Sequence, residues 1–259
     1  MSFEVFKGGK LAPKRHMMMP ALGDFLDRAI AWPTVPAKGW EFAVPSSDMD
    51  ILGNDQFGCC AEAGAMHLIQ AQQANVGRRV VPTKADTLNL YTAVTGFKSD
   101  DPSTDNGTVL TDLLNYWQAT GITLGNVVHK IAGYASVDIS SVAQMRFAAY
   151  TFGGLYLGMN CPKQAEINVN NWNFDPTNLP IAGGHCIIQC GEGAAGGKIG
   201  TWGLWIPSSW RFLLGTLDEG YVVITEDFVD QNTGKSPTGL DLDGLLAQSR
   251  MFQASQRPN

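Results

Sequence analysis

The chain has 259 residues, 44% hydrophobic content and a formal net charge of −6, enough apolar material for a full core in one large domain or two small ones. Its 18 Lys and Arg are spread thinly and form no basic stripe, which argues against a nucleic acid partner. No window approaches ~18 uninterrupted apolar residues, and the opening MSFEVFKGGKLAPKRHMMMP lacks an apolar stretch between its charges and a cleavage site, so neither a membrane span nor a signal peptide is expected and the default compartment is the cytoplasm.

In chain order, residues 1–50 are rich in Pro, Met and small residues. Pro13, Pro20, Pro33, Pro36 and Pro45 break any long helix, although ALGDFLDRAI can form a short one. Residues 1–45 therefore read as an extended strap running over the surface of a core. LGNDQFGCCAEAGAMHLI at 52–69 reads as a tight turn that delivers a cysteine to the first turn of a helix, predicted over roughly 59–76 and ended by Gly77. Further helices are predicted at 84–95 and at 109–120, the latter entered from the polar turn SDDPSTDNGT and closed by Gly121.

Beyond residue 122 the character changes. VHKIAGYASV reads as a strand, ISSVAQMRFAAYTF as a helix, and GLYLGMN, HCIIQCG, IGTWGLWI and GYVVITEDFV as strands rich in β-branched and aromatic residues. A helical lobe over 46–122 followed by a sheet lobe over 123–230, without βαβ alternation, predicts an α+β domain with an antiparallel sheet. The tail 231–259 is polar, with LDLDGLLAQSRMF able to dock as a short helix. Five cysteines, two of them adjacent and none in a CxxC pair, fit neither a disulfide framework nor a structural zinc site, so free thiols and no cofactor are expected.

A thiol at a helix N-terminus sees the partial positive charge of unpaired backbone N–H groups, which lowers its pKa. Cys59 and Cys60 are both placed for that effect. The imidazole such a thiol needs is best supplied by His185 in GGHCIIQCG, which opens a strand after a Gly pair. His67 lies two helical turns past Cys60, too far to touch its thiol, and reads as a packing or surface residue. Cys186 and Cys190 alternate with apolar neighbours at strand spacing and read as core. Trp202, Trp205 and Trp210 read as sheet and loop packing, and Asn106-Gly107-Thr108 as a turn.

These segments carry a resemblance. GNDQFGCCAEAGA resembles the nucleophile segment of papain-like cysteine peptidases, in which a Gln precedes a Gly-x-Cys that opens a long central helix. GGHCIIQCGEG is similar to that family's catalytic-His strand, and TWGLWIPSSW followed by GYVVIT to its Asn-Ser-Trp-Gly and Gly-Tyr segments. A second likeness, over nearly the whole chain, is to uncharacterised bacteriophage and bacterial proteins that share a Leu-Gly-Asn-Asp-x-x-Gly-Asp-Cys motif. GKLAP at 9–13, LGNDQFGCC at 52–60, DNGTVLTDLLNYWQATGI at 105–122 and TWG at 201–203 are the counterparts here.

The resemblance implies a papain-like fold with Cys60 as nucleophile, His185 as base and then acid, and Asn54 as oxyanion donor in place of the Gln. Cys59 fills the position where the phage-type proteins carry Asp. The Asn that orients the catalytic His falls at Gly200, or one residue later at Thr201, and neither is Asn; Thr201 is the candidate replacement. The function implied is a papain-like cysteine hydrolase, peptidase or amidase, of phage or prophage origin, acting on peptides or proteins in the host cytoplasm. The alternative is a catalytically weak or silent virion component that binds phage structural proteins or its own copies, a capsid decoration or tail-associated part. A redox role for Cys59-Cys60 is disfavoured by the strain of a vicinal disulfide.

Overall fold

The computed structural model describes residues 7–14, 21–25, 31–241 and 244. After a single turn, α1 (Leu22–Phe25), and a short strand, β1 (Trp40–Glu41), the chain enters the central helix α2 (Cys60–Ala74). Every residue of α2 from Cys60 to Gln73 is buried. Its polar side chains survive there because surrounding loops answer them: Gln70 donates to the Asp48 carbonyl at 2.8 Å, Gln72 to that of Phe152 at 3.0 Å, and Gln73 to the Asp227 carboxylate at 2.6 Å.

Helix α3 (Lys84–Thr95) starts on a capping box between Thr83 and Asp86 and stops at Gly96, whose φ of 79° is left-handed. Helix α4 (Leu110–Ala119) buries Leu110, Leu113, Leu114 and Trp117, a stripe at helical spacing. A small hairpin of β2 (Ile122–Leu124) and β3 (Val127–His129) leads to β4 (Ile131–Ser136), the helix α5 (Val142–Phe152) and β5 (Leu155–Pro162). Then come α6 (Lys163–Ile167), the long strand β6 (Ile181–Glu192), β7 (Gly196–Thr201), β8 (Leu204–Ser209), α7 (Trp210–Thr216) and β9 (Leu217–Thr225).

The main sheet is antiparallel, in the order β4-β9-β5-β6-β7-β8, with β1 added on β6. Its central strands are apolar on both faces. Tyr156, Cys186, Ile188, Cys190, Tyr221 and Val223 face the core shared with α2 and α4, while Leu155, Leu157, Met159, Ile187, Val222 and Ile224 face the core covered by α5 and α7. That two-sided burial is why β5, β6 and β9 read as continuous hydrophobic runs in the sequence.

Three expectations change. IGTWGLWI is not one strand: Trp202 (φ 49°) and Gly203 (φ 72°) both take left-handed backbone and form the two-residue turn of the β7–β8 hairpin. VHKIAGYASV is divided at Lys130 between β3 and β4. Helices α6 and α7, at five and seven residues, are too short to show a period and were not expected. The portion LDLDGLLAQSRMF lies, beyond Asp241 and apart from Gly244, outside the described residues.

Candidate active site

The turn before α2 is built by Leu52 (φ 56°) and Gly53 (φ 86°). Backbone N–H groups of Gln56 and Phe57 both donate to the Gly53 carbonyl at 3.0 Å. Gly58 N donates to the Asp105 carboxylate at 2.9 Å, and the same oxygen accepts the Tyr91 hydroxyl at 3.0 Å, so the turn is fixed to the loop preceding α4. Where two adjacent cysteines leave this turn, the backbone sends them opposite ways. Cys59 packs with Tyr91 and Phe97, fully buried, and burial raises its pKa far above the ordinary thiol value. It is a core residue.

Cys60 opens α2 and faces the sheet. Burial pushes its pKa up to about 11, and the backbone N–H groups of Cys186, Gly9 and Lys10 pull the other way. The expectation of a lowered pKa is therefore corrected: in this state desolvation outweighs the helix terminus. Cys60 and Cys186, the residue after His185, are buried in the same core. Close approach of α2 to β6 depends on Gly64, where a Cβ would stand 2.9 Å from the Cys186 sulfur and 3.3 Å from the Tyr156 ring.

His185 is fully buried in β6, opposite Met159 of β5. Its Nε2 hydrogen-bonds Thr201 Oγ1 at 2.7 Å, and the Trp202 ring stacks on the imidazole at 4.4 Å and 24°. The hairpin turn makes this arrangement: left-handed backbone at 202 swings the indole over the ring, and Trp172 holds it by an edge contact at 5.9 Å. Gly200 faces Trp205 and Ile188 instead, where a Cβ would stand 2.7 Å and 2.9 Å from them. His185 Nδ1 is buried without a hydrogen-bond partner among the described residues. Burial drives the imidazole pKa down to about 3, so thiol and imidazole are both neutral here.

Asn54 is buried, and its amide donates to the carbonyls of Phe57 and Lys7, each at 3.0 Å. His67 is buried in α2 with Nε2 at 2.9 Å from the Asp50 carbonyl, remote from the site as its spacing implied. Glu62, in the first turn of α2, accepts from Thr108 at 2.7 Å, and burial raises its pKa to about 7. No group of three His, Cys, Asp or Glu among the described residues forms a metal site.

Sequence reasoning missed the segment that covers this site. Residues 7–11, exposed at Lys7, Gly8 and Leu11 and buried at Lys10, run between the turn before α2, the loop before α4 and β6. Lys7 N donates to the Asn54 carbonyl at 3.2 Å, Thr108 N to Gly9 O at 2.7 Å, Lys10 N to Gly184 O at 3.2 Å, and Leu11 N to Thr108 O at 2.9 Å. The paired glycines in KGGKL were the available signal, because only a backbone free of side chains passes this close to another.

No protein-family model matches the chain, and no curated protein matches it by sequence. Solved structures do. The chain is similar to xylellain, a cysteine protease from Xylella fastidiosa, at a TM-score of 0.63 and 12% identity, over 85% of this chain and 96% of that one. Procathepsin L 3 of the Tenebrio molitor larval midgut gives 0.57 at 12% identity, over 85% and 76% of the two chains. Procathepsin B S9 of Trypanosoma congolense gives 0.56 at 10%, over 86% of each. The chain has the α+β fold of papain-like cysteine proteases.

Proposed function

We propose that the protein is a cysteine hydrolase acting on amide bonds, a peptidase or amidase, with Cys60 as nucleophile and His185 as base. The observation that carries this reading is the state of the imidazole: Nε2 is held by Thr201 and shielded by Trp202, while Nδ1 is left without a hydrogen-bond partner among the described residues. With the proton on Nε2 donated to Thr201, Nδ1 is the acceptor, and the hydroxyl does the orienting work that an amide does elsewhere.

The chemistry follows in two balanced halves. The Cys60 proton passes to Nδ1, and the thiolate adds to the carbonyl carbon as its π pair moves onto oxygen. The Cys60 backbone N–H and the Asn54 amide stabilise that oxyanion once Lys7 has released the Asn54 donor. Collapse breaks the C–N bond, and the imidazolium returns its proton to the leaving amine. Water, deprotonated by His185, then attacks the thioester and releases the acid and the thiol.

The test is carbamidomethylation by iodoacetamide across pH, located by mass spectrometry, on wild type and His185→Ala, beside hydrolysis of a peptide library. Selective, His185-dependent modification of Cys60 with peptide cleavage supports the hydrolase. An ordinary thiol profile indifferent to His185 removes it. A second reading, a silent virion component that uses the fold for assembly, is favoured by the neutral, covered thiol and imidazole. Phage or prophage origin rests on the LGNDQFGCC likeness, and host-cytoplasmic or virion location and self-association follow from it as part of the same proposal. No helix among the described residues is long and apolar enough to cross a membrane.

A further inference from the structure

Lys10 is the most deeply buried amine described in the cleft: its side chain is 1% exposed. The ammonium sits 2.7 Å from Asp218 and 3.0 Å from Glu219, and the Tyr221 hydroxyl donates to the other Glu219 oxygen at 2.6 Å, fixing that carboxylate. Burial pulls the Lys10 pKa down, the two acidic side chains push it up, and the net shift is upward, so the pocket holds a cation. Room for the stem comes from Gly158, where a Cβ would lie 2.4 Å from Lys10 Cε.

The remaining contacts of this segment with the cleft walls are of a different kind. Gly9, Lys10 and Leu11 are held by main-chain hydrogen bonds to Thr108 and Gly184, which recognise a peptide backbone whatever its sequence. A Cβ on Gly9 would stand 1.8 Å from the Gly58 carbonyl oxygen, and one on Gly107 would stand 2.0 Å from the Gly9 carbonyl oxygen. Backbone is therefore accepted along the walls, and a side chain is read at position 10. An open groove of about 540 Å³ continues beside the segment.

We propose that the Gly158–Asp218–Glu219 pocket selects a lysine-type side chain, that Lys10 is its internal occupant, and that residues 7–11 cover Cys60 until a peptide with a basic residue in that place displaces them. The binding claim stands on the pocket alone; its consequence, cleavage of basic-residue peptides, rests on the hydrolase reading above.

The test uses two single variants of the full chain. Gly9→Ala removes the fit of the segment and leaves the pocket intact, and Lys10→Ala empties the pocket without altering its acidic wall. The probes are a fluorescein-labelled peptide of residues 7–14, KGGKLAPK, and the same peptide with norleucine at the fourth position, read by anisotropy. Expected are binding of the lysine peptide to both variants, roughly tenfold or more tighter than norleucine, the scale of a desolvated ion pair losing a partner. Adding Glu219→Gln should erase most of that difference. Cys60 carbamidomethylation should rise roughly tenfold over wild type in both variants, whose circular dichroism reports whether the fold is kept.

Equal affinities for the two peptides, or wild-type labelling rates in two folded variants, overturn the inference. Lysine-selective binding without cleavage upholds the pocket and removes the hydrolase. Cleavage of both peptides at equal rates does the reverse.

Discussion

Thr201 tests how little is needed to orient a buried imidazole. Thr201→Val keeps the shape and deletes the oxygen 2.7 Å from His185 Nε2, leaving a buried donor unpaired at a cost of about 1–3 kcal/mol. Chemical denaturation should show that loss, and peptide turnover should fall with it, KM changing less than kcat. At the adjacent cysteines, Cys59→Ala should lower stability by opening space against Tyr91 and Phe97 while Cys60 still reacts with iodoacetamide. Cys60→Ala should abolish site labelling and leave stability nearly unchanged. The reverse pattern would make Cys59 the reactive thiol. Asn54 was legible as a polar group near the nucleophile, but its engagement with Lys7, 47 positions away, was not.

Helix α2 is the element on which the site depends, and its placement is set by one missing side chain. Gly64→Ala adds a methyl 2.9 Å from the Cys186 sulfur, and overpacking of this kind costs about 1–3 kcal/mol. A urea midpoint lowered by that amount, with slower His185-dependent labelling of Cys60, is the expected result; an unchanged midpoint would show that the helix and sheet give way freely. The sequence marked the helices well, because Thr83, Ser141, Gly96 and Gly153 are local caps acting on adjacent backbone. It marked the β7–β8 turn poorly. Trp at φ 49° is a conformation that local preference disfavours, and its stacking on His185 and edge contact with Trp172 come from residues distant in sequence.

At the scale of the whole molecule, buried histidines and glutamates shape the response to pH. His67 and His185 ordinarily protonate near 6.5 but do so in the fold only near 4 and 3. Below pH 6.5 the unfolded chain therefore binds protons the folded one refuses, and stability falls on acidification. Glu62 acts oppositely: its pKa rises from 4.5 to about 7, so its contribution is full below pH 4.5 and lost as pH rises through 7. Glu219, also raised from 4.5 by burial, acts in the same direction as Glu62, so two histidines and two glutamates oppose one another above pH 4.5, while below it the histidines alone make stability fall. Urea midpoints across pH 4–9 should show that acid limb, and Glu62→Gln should make stability rise more with pH in the range 4.5–6.5 and add stability above pH 7. A profile flat below 4.5, with no change in Glu62→Gln, would mean that these side chains are hydrated. From its sequence alone, the chain determined its α+β class, its main helices and the ordered Cys60 and His185 motifs, because periodicity, capping and motif spacing act over short distances. Only the tertiary structure decided that the two adjacent thiols enter different cores, that Thr201 rather than residue 200 holds the imidazole, and that residues 7–11 lie in the cleft with Lys10 against Asp218 and Glu219. Those facts depend on burial and on partners up to about two hundred positions apart, which no local pattern encodes.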